Sequence, residues 1–267
     1  MAPAPYAFAL LTVTDTFNNG TPKVLGSKLV PAASYTYTDS YTVNETGGSC
    51  VTYPNVASIT GGPSANASVT VCNTKTGALT MGFWQNKNGQ GIITSDASTG
   101  GVCNLDTWLG QYAPFQDLSA TPPAPCSAVA SYVFNIIKAA NAAGTSMNAM
   151  LKAQMLATAL DVYFSTPGLG GNLIGAAQPL GGVKINLTQV CNMVDGSSGS
   201  GTCSGTSGNA SAAFGGATSG TVSFLLSYAA AQSNADGSIW YAQNKAIQGL
   251  AKNTFDAINN QAANIAP

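Results

Sequence analysis

Six cysteines, at positions 50, 72, 103, 126, 191 and 203, are the residues of this chain best suited to covalent chemistry, and their spacing narrows what that chemistry can be. No two of them stand in the Cys-x-x-Cys arrangement of a zinc ribbon or a dithiol redox centre, and the chain has no histidine. Metal and redox readings both fall with that pattern. An even count, with neighbours along the chain lying in the same local region, favours three sequential bridges, Cys50 to Cys72, Cys103 to Cys126 and Cys191 to Cys203. The other pairings that six cysteines allow stay open, as do six reduced thiols. Each bridge would contribute about 2–4 kcal/mol by restricting the unfolded chain. Bridges also imply an oxidising compartment.

Proton chemistry has few carriers. All nine cationic side chains are lysines, and the ten acids are aspartates except for Glu45. General acid–base work would have to run on aspartate, lysine or tyrosine. The net charge is -1 and only 7% of residues are charged, so no basic stripe is available and nucleic acid is excluded as a partner. A surface solvated by Ser, Thr, Asn, Gln and Gly at low net charge favours association. The composition therefore argues against an enzyme and against a cofactor or metal. A hydrolase working through aspartates or a Ser–Lys pair is the third reading.

Several residues still invite sharper readings. Phe83 and Trp84 could form a sugar-stacking platform, although packing at a joint between domains suits a large ring better. Asp15 and Asp39, with Lys23, Lys28 and Lys75, suggest an intramolecular Lys–Asn amide, against turn aspartates and solvated lysines. Asp96, Asp195 and Asp236 sit in polar loops that could hold calcium, but without helix-loop-helix spacing, so turn chemistry is favoured. Asn19, Asn44, Asn66, Asn186 and Asn209 open Asn-x-Ser/Thr sequons.

These residues must be positioned by two kinds of structure. Ala7 to Phe17, Ser34 to Val43, Cys50 to Tyr53, Val56 to Thr60 and Ala67 to Asn73 read as short strands separated by turn signals at 18–20, 47–48 and 61–63. In Ser34 to Val43 the odd positions Tyr35, Tyr37, Tyr41 and Val43 make one face aromatic and apolar. Strands at this spacing argue for a sandwich. Beyond residue 80 the period changes. Amphipathic helices are predicted over 127–143, 146–164, 221–232 and 238–260, enough for a small bundle. An irregular hairpin is expected at 168–187, and a Gly/Ser-rich surface excursion at 195–220 pinned by Cys203. The fold class is α+β: a β-sandwich domain over 1–78, short of a full strand set, then a mainly helical disulfide-bonded domain over 79–267.

Two segments resemble known families. Leu29 to Val43, with Asn55-Val56-Ala57-Ser58-Ile59-Thr60-Gly61 and Ala67-Ser68-Val69-Thr70-Val71, is similar to the repeated immunoglobulin-like modules of bacterial cell-surface proteins. That resemblance covers roughly residues 5 to 75 and implies a stalk or spacer role outside the cell. This chain departs from the pattern in lacking the upstream part of a module. Thr80-Met81-Gly82-Phe83-Trp84-Gln85-Asn86, with Phe255 to Asn260, looks like an uncharacterised helical domain of secreted surface proteins, in which a histidine often follows the asparagine; here it is Lys87.

The start of the chain carries the last candidate. Tyr6, Phe8, Leu10, Leu11 and Val13 make an apolar, β-prone strand, which either folds back into its own domain or is donated to a neighbouring copy as an assembly strand. Met-Ala-Pro-Ala-Pro lacks the basic region of a signal peptide, so a mature chain or a fragment is expected, and no apolar run approaches the ~20 residues of a spanning helix. The expected function is that of an extracellular structural protein, a subunit of a surface filament or layer whose partners are other copies of itself. The alternative is an adhesin that binds glycan or a cell-surface protein without catalysis.

Overall fold

A computed structural model of the chain describes residues 10–29, 36–96, 103–118, 123–142, 144–195 and 201–267. They fall into two compact units, one holding residues up to Glu45 with Cys50–Cys72 and Pro267, the other Thr46–Ser49 with Asn73–Ala266. The chain thus passes between the units at 45/46, 49/50 and 72/73.

In the first unit β1 (Leu10–Phe17), β2 (Lys23–Leu29), β3 (Cys50–Ile59) and β4 (Ser64–Cys72) form one antiparallel sheet in the order β2-β1-β3-β4. No second sheet faces it among the described residues, so the expected sandwich is not confirmed and the described part of this unit is a single layer. The strand predicted over 34–43 is not formed at 36–43, which runs without regular pairing; 34 and 35 lie outside the described residues. Unexpectedly, β2 is a strand. Asn18 and Asn19 take φ of 50° and 56°, and Gly20 N–H returns to Phe17 O, the tight turn that sends the chain back along β1.

The two short strands predicted on either side of Pro54 are one continuous strand, β3. A proline inside a central strand normally removes a ladder bond. Here β1 ends at Phe17, which pairs with Asn55, so Pro54, though opposite Ser68 of β4, lies just past the β1–β3 ladder, where its carbonyl accepts Asn18 N–H at 2.8 Å. The sheet's two faces follow from the register. One carries hydroxyl pairs, Thr12 with Ser27, Thr14 with Ser58 and Thr52 with Thr70. The other carries Phe17, Tyr53, Ala57, Val69 and Val71 and meets the 37–43 segment.

The second unit holds α1 (Met81–Gln85), α2 (Lys87–Ser95), α3 (Asn104–Leu109), α4 (Cys126–Ala140), α5 (Met147–Ser165), α6 (Val222–Ala231) and α7 (Lys245–Asn259). Helix α5 is its axis. Every residue from Leu151 to Ser165 is buried, which corrects the predicted amphipathic stripe: α4, α6, α7 and α1 pack around it. Its polar residues are tolerated because each finds a partner. Thr158 donates to Asn259 Oδ1 at 2.6 Å, Gln154 to Asp256 Oδ1 at 2.9 Å, and Ser165 Oγ accepts Leu180 N–H at 2.9 Å.

Two other expectations change here. The last helix begins at Lys245, not near 238, because Tyr241, Ala242 and Gln243 are left-handed (φ 50°, 48° and 65°) and Asn244 then caps the helix through its side chain. The tract 201–220 is more than a surface excursion. Within it Ala210, Ala213 and Phe214 are buried, and a short strand at Ser219–Thr221 pairs with Lys184–Asn186 in place of a local hairpin at 168–187. Helices α1, α2 and α3 were not anticipated.

The three sequential bridges are present: Cys50–Cys72, Cys103–Cys126 and Cys191–Cys203, with S–S distances of 2.03, 2.09 and 2.05 Å. No described helix is long and apolar enough to cross a membrane.

Candidate functional site

The first unit's apolar sheet face is only partly covered, and the uncovered part is a groove of about 520 Å³. Its floor is β1, β3 and β4, and its wall is the segment around Tyr37, Tyr41 and Val43. Gly26 of β2 makes the wall possible. A side chain there would begin 2.3 Å from the Tyr37 ring, so the missing Cβ lets that ring lie against the strand. Tyr41 stacks on Phe17 with centroids 4.2 Å apart and planes 11° from parallel, and Tyr53 extends the stack at 5.3 Å.

One end of the groove is polar. Asp15 is only 5% exposed, which corrects its reading as a turn residue, and its carboxylate accepts from Tyr41 Oη at 3.0 Å and Asn55 Nδ2 at 2.8 Å. Burial, reinforced by that carboxylate, pushes the Tyr41 hydroxyl up to about 12. Lys23 holds Asp39 at 2.7 Å and keeps its carboxyl below the usual range. Lys23 Nζ is thereby spent on Asp39 and not presented to an asparagine. The Tyr53 hydroxyl donates to Glu45, which raises its pKa.

Beside the groove runs β4, the sheet's last strand. All its residues are exposed except the half-buried Val71, and Val69 is 54% exposed. It carries no proline, lysine or other charge. Edge strands are ordinarily blunted by such residues, because a row of free N–H and C=O groups invites another strand.

No protein-family model, curated protein or solved structure matches this chain.

The other predicted site residues fall as follows. Leu10, Leu11 and Val13 lie in β1 and are paired with β2 at Leu29, Lys28 and Gly26, Val13 also with Ile59 of β3; these three are engaged inside their own sheet. Tyr6 and Phe8 lie outside the described residues. Trp84 is fully buried in the helical unit, stacked on Phe164 at 5.5 Å, with Nε1 donating to Asp161 Oδ1 at 3.0 Å; Phe83 is half-buried. A ring with no exposed surface cannot stack on a sugar.

The helical unit's acids serve mainly as acceptors for backbone amides. Asp96 Oδ2 accepts Leu105 N–H at 3.0 Å, Asp106 Oδ2 accepts Ala124 N–H at 2.9 Å, and Asp161 Oδ1 accepts Leu79 N–H at 3.0 Å. Among the described residues, Asp96, Cys103 and Cys126 are the one trio of potential metal ligands within 4.8 Å, and both sulfurs are already bonded to each other. Asp236 Oδ1 caps Ser238 N–H, as turn chemistry expects. A sandwich short of strands implies an unpaired edge and an open core groove, but not which residues line it. The aromatic alternation in 35–43 reads as a further strand, whereas Tyr37, Tyr41 and Val43 form the groove's wall.

Proposed function

We propose that this chain is an extracellular structural protein, a disulfide-braced subunit of a surface filament or layer that works through contact and not turnover. The observation that carries the reading is the nine-residue edge β4, unblunted and exposed, beside an uncovered apolar groove. A lone soluble domain has reason to hide such a surface, whereas a subunit uses it. Three bridges support a location outside the reducing cytosol. The 7% charge content supports association in place of free diffusion.

A second reading, an adhesin that binds glycan without catalysis, is favoured by the Tyr41 ring, 42% exposed and flat on Phe17, with Asp39 near its rim. Negative-stain microscopy of the oxidised chain separates the two. Filaments or layers support the structural reading, lone particles that bind on a glycan array support the adhesin, and lone particles that bind nothing sink both.

A further inference from the structure

We propose that the open edge of β4 is completed by residues 1–9 of a second copy, laid parallel to β4 with Tyr6 and Phe8 in the groove. This rests on the structural reading above and names the partner of the same surface.

The direction follows from hydrogen-bond parity. Ile59 N–H bonds Pro63 O and Asn73 N–H bonds Ser49 O, and the β3–β4 register between them has no shift. The odd residues of β4 therefore exchange bonds with β3, while Ser64, Asn66, Ser68 and Thr70 turn N–H and C=O to the open edge. Val69 and Val71, of the odd set, face the groove.

A strand added parallel to β4 repeats this alternation: residues whose side chains enter the groove bond toward β4, and those between them turn their amides outward. In Met1-Ala2-Pro3-Ala4-Pro5-Tyr6-Ala7-Phe8-Ala9, placing Tyr6 and Phe8 in the groove puts Pro3 and Pro5 in the outward set, where a missing N–H is harmless. Antiparallel addition with the same rings in the groove would turn both prolines into the ladder. An apolar cavity of about 150 Å³ holds one benzene ring. Two rings then need about 300 Å³ on that scale, and the groove offers about 520 Å³.

Reach selects a second copy over the chain's own segment. Leu10 enters the sheet at the end where β4 begins, since Thr60 N–H bonds Thr12 O there. The open slot beside β4 lies three strand spacings from β1, about 14 Å. At about 3.3 Å per residue the crossing consumes about four residues. Those four are Tyr6 to Ala9 themselves, so the rings reach a β4 groove only on another molecule. Such head-to-tail addition does not close on itself and propagates as a filament.

The test mixes full-length copies carrying Phe8→Cys with differently tagged copies carrying Val69→Cys, under oxidation, and scores polymer formation by a chain lacking 1–9 and by Val69→Lys. Val69 is exposed enough for the lysine to leave the fold intact, checked by circular dichroism and thermal melting. Expected are a non-reducing band joining one tag to the other and loss of polymer in both variants. Polymer that survives deletion of 1–9, or a bridge that forms only within a doubly substituted chain, overturns the donation while the structural reading stands. An unmodified chain that never polymerises overturns both.

Discussion

Trp84 Nε1 donates to Asp161 Oδ1 at 3.0 Å where both residues are fully buried, and Leu79 N–H bonds the same oxygen at 3.0 Å. Asp161 Oδ2 has no hydrogen-bond partner among the described residues. Burial holds this carboxyl well above the usual carboxylate range, against the pull of its two donors. A carboxyl whose folded pKa is raised stabilises the fold fully below the unfolded carboxyl range, and that stability is lost as pH rises toward and through the folded value. Urea unfolding of the native chain and of Asp161→Asn, which keeps the acceptor oxygen but cannot ionise, is expected to give a stability difference that moves in the variant's favour as pH rises from about 4, by up to about 1.4 kcal/mol per unit. A difference independent of pH would mean that Asp161 is not held neutral. Asp161→Ala strands the buried Trp84 Nε1–H and the half-buried Leu79 N–H and is expected to cost about 2–4 kcal/mol.

Lys152 gives a second contrast. Its ammonium, 6% exposed, lies 2.8 Å from Asp117 Oδ2 and 2.7 Å from Asp236 O, above the ring of Tyr132, whose hydroxyl bonds Asp117 at 2.6 Å. Burial lowers its pKa although Asp117 opposes the shift. Removing one member of a buried pair costs about 3–5 kcal/mol, whereas replacing both members by apolar side chains of similar shape is near neutral. Asp117 is a third exposed, so Asp117→Ala is expected at the lower end, about 3 kcal/mol. Replacing both partners together, Lys152→Met with Asp117→Leu, should cost less than about 1 kcal/mol. Equal losses in chemical denaturation would show that the pair itself supplies the stability.

The Cys50–Cys72 bridge ties the ends of β3 and β4 across 22 residues. Replacing both cysteines by serine is expected to lower stability by about 3 kcal/mol, read as a shifted urea midpoint of the sheet's tyrosine signal. An unshifted midpoint would mean that the hairpin needs no brace.

What could be read in the sequence, and what could not, divides along physical lines. Cysteine spacing carried the three bridges because local pairing needs only short loops. Periodicity carried α4 because an apolar stripe repeats whatever it packs against, whereas α5, buried on every side from Leu151 to Ser165, was legible as a helix but not in its burial. Pro54 hid the continuity of β3, since its harmlessness depends on where β1 stops. Lys23–Leu29 hid β2, having too few apolar residues to announce a strand and relying on the Asn18–Asn19 turn. Phe214 sat in a stretch whose composition resembles a linker, and only the tertiary fold buries it. A groove follows from a sandwich short of strands, but its lining was least legible. It depends on Gly26 leaving room for Tyr37, a relation between residues on separate segments.

The claim that β4 is a contact edge has a direct reporter in amide hydrogen exchange. Ser64, Asn66, Ser68 and Thr70 turn their N–H groups to the open side, so they should exchange rapidly in dispersed Val69→Lys protein and slow by orders of magnitude in assembled native material. If those four amides exchange equally fast in both samples, β4 is not where the molecules meet.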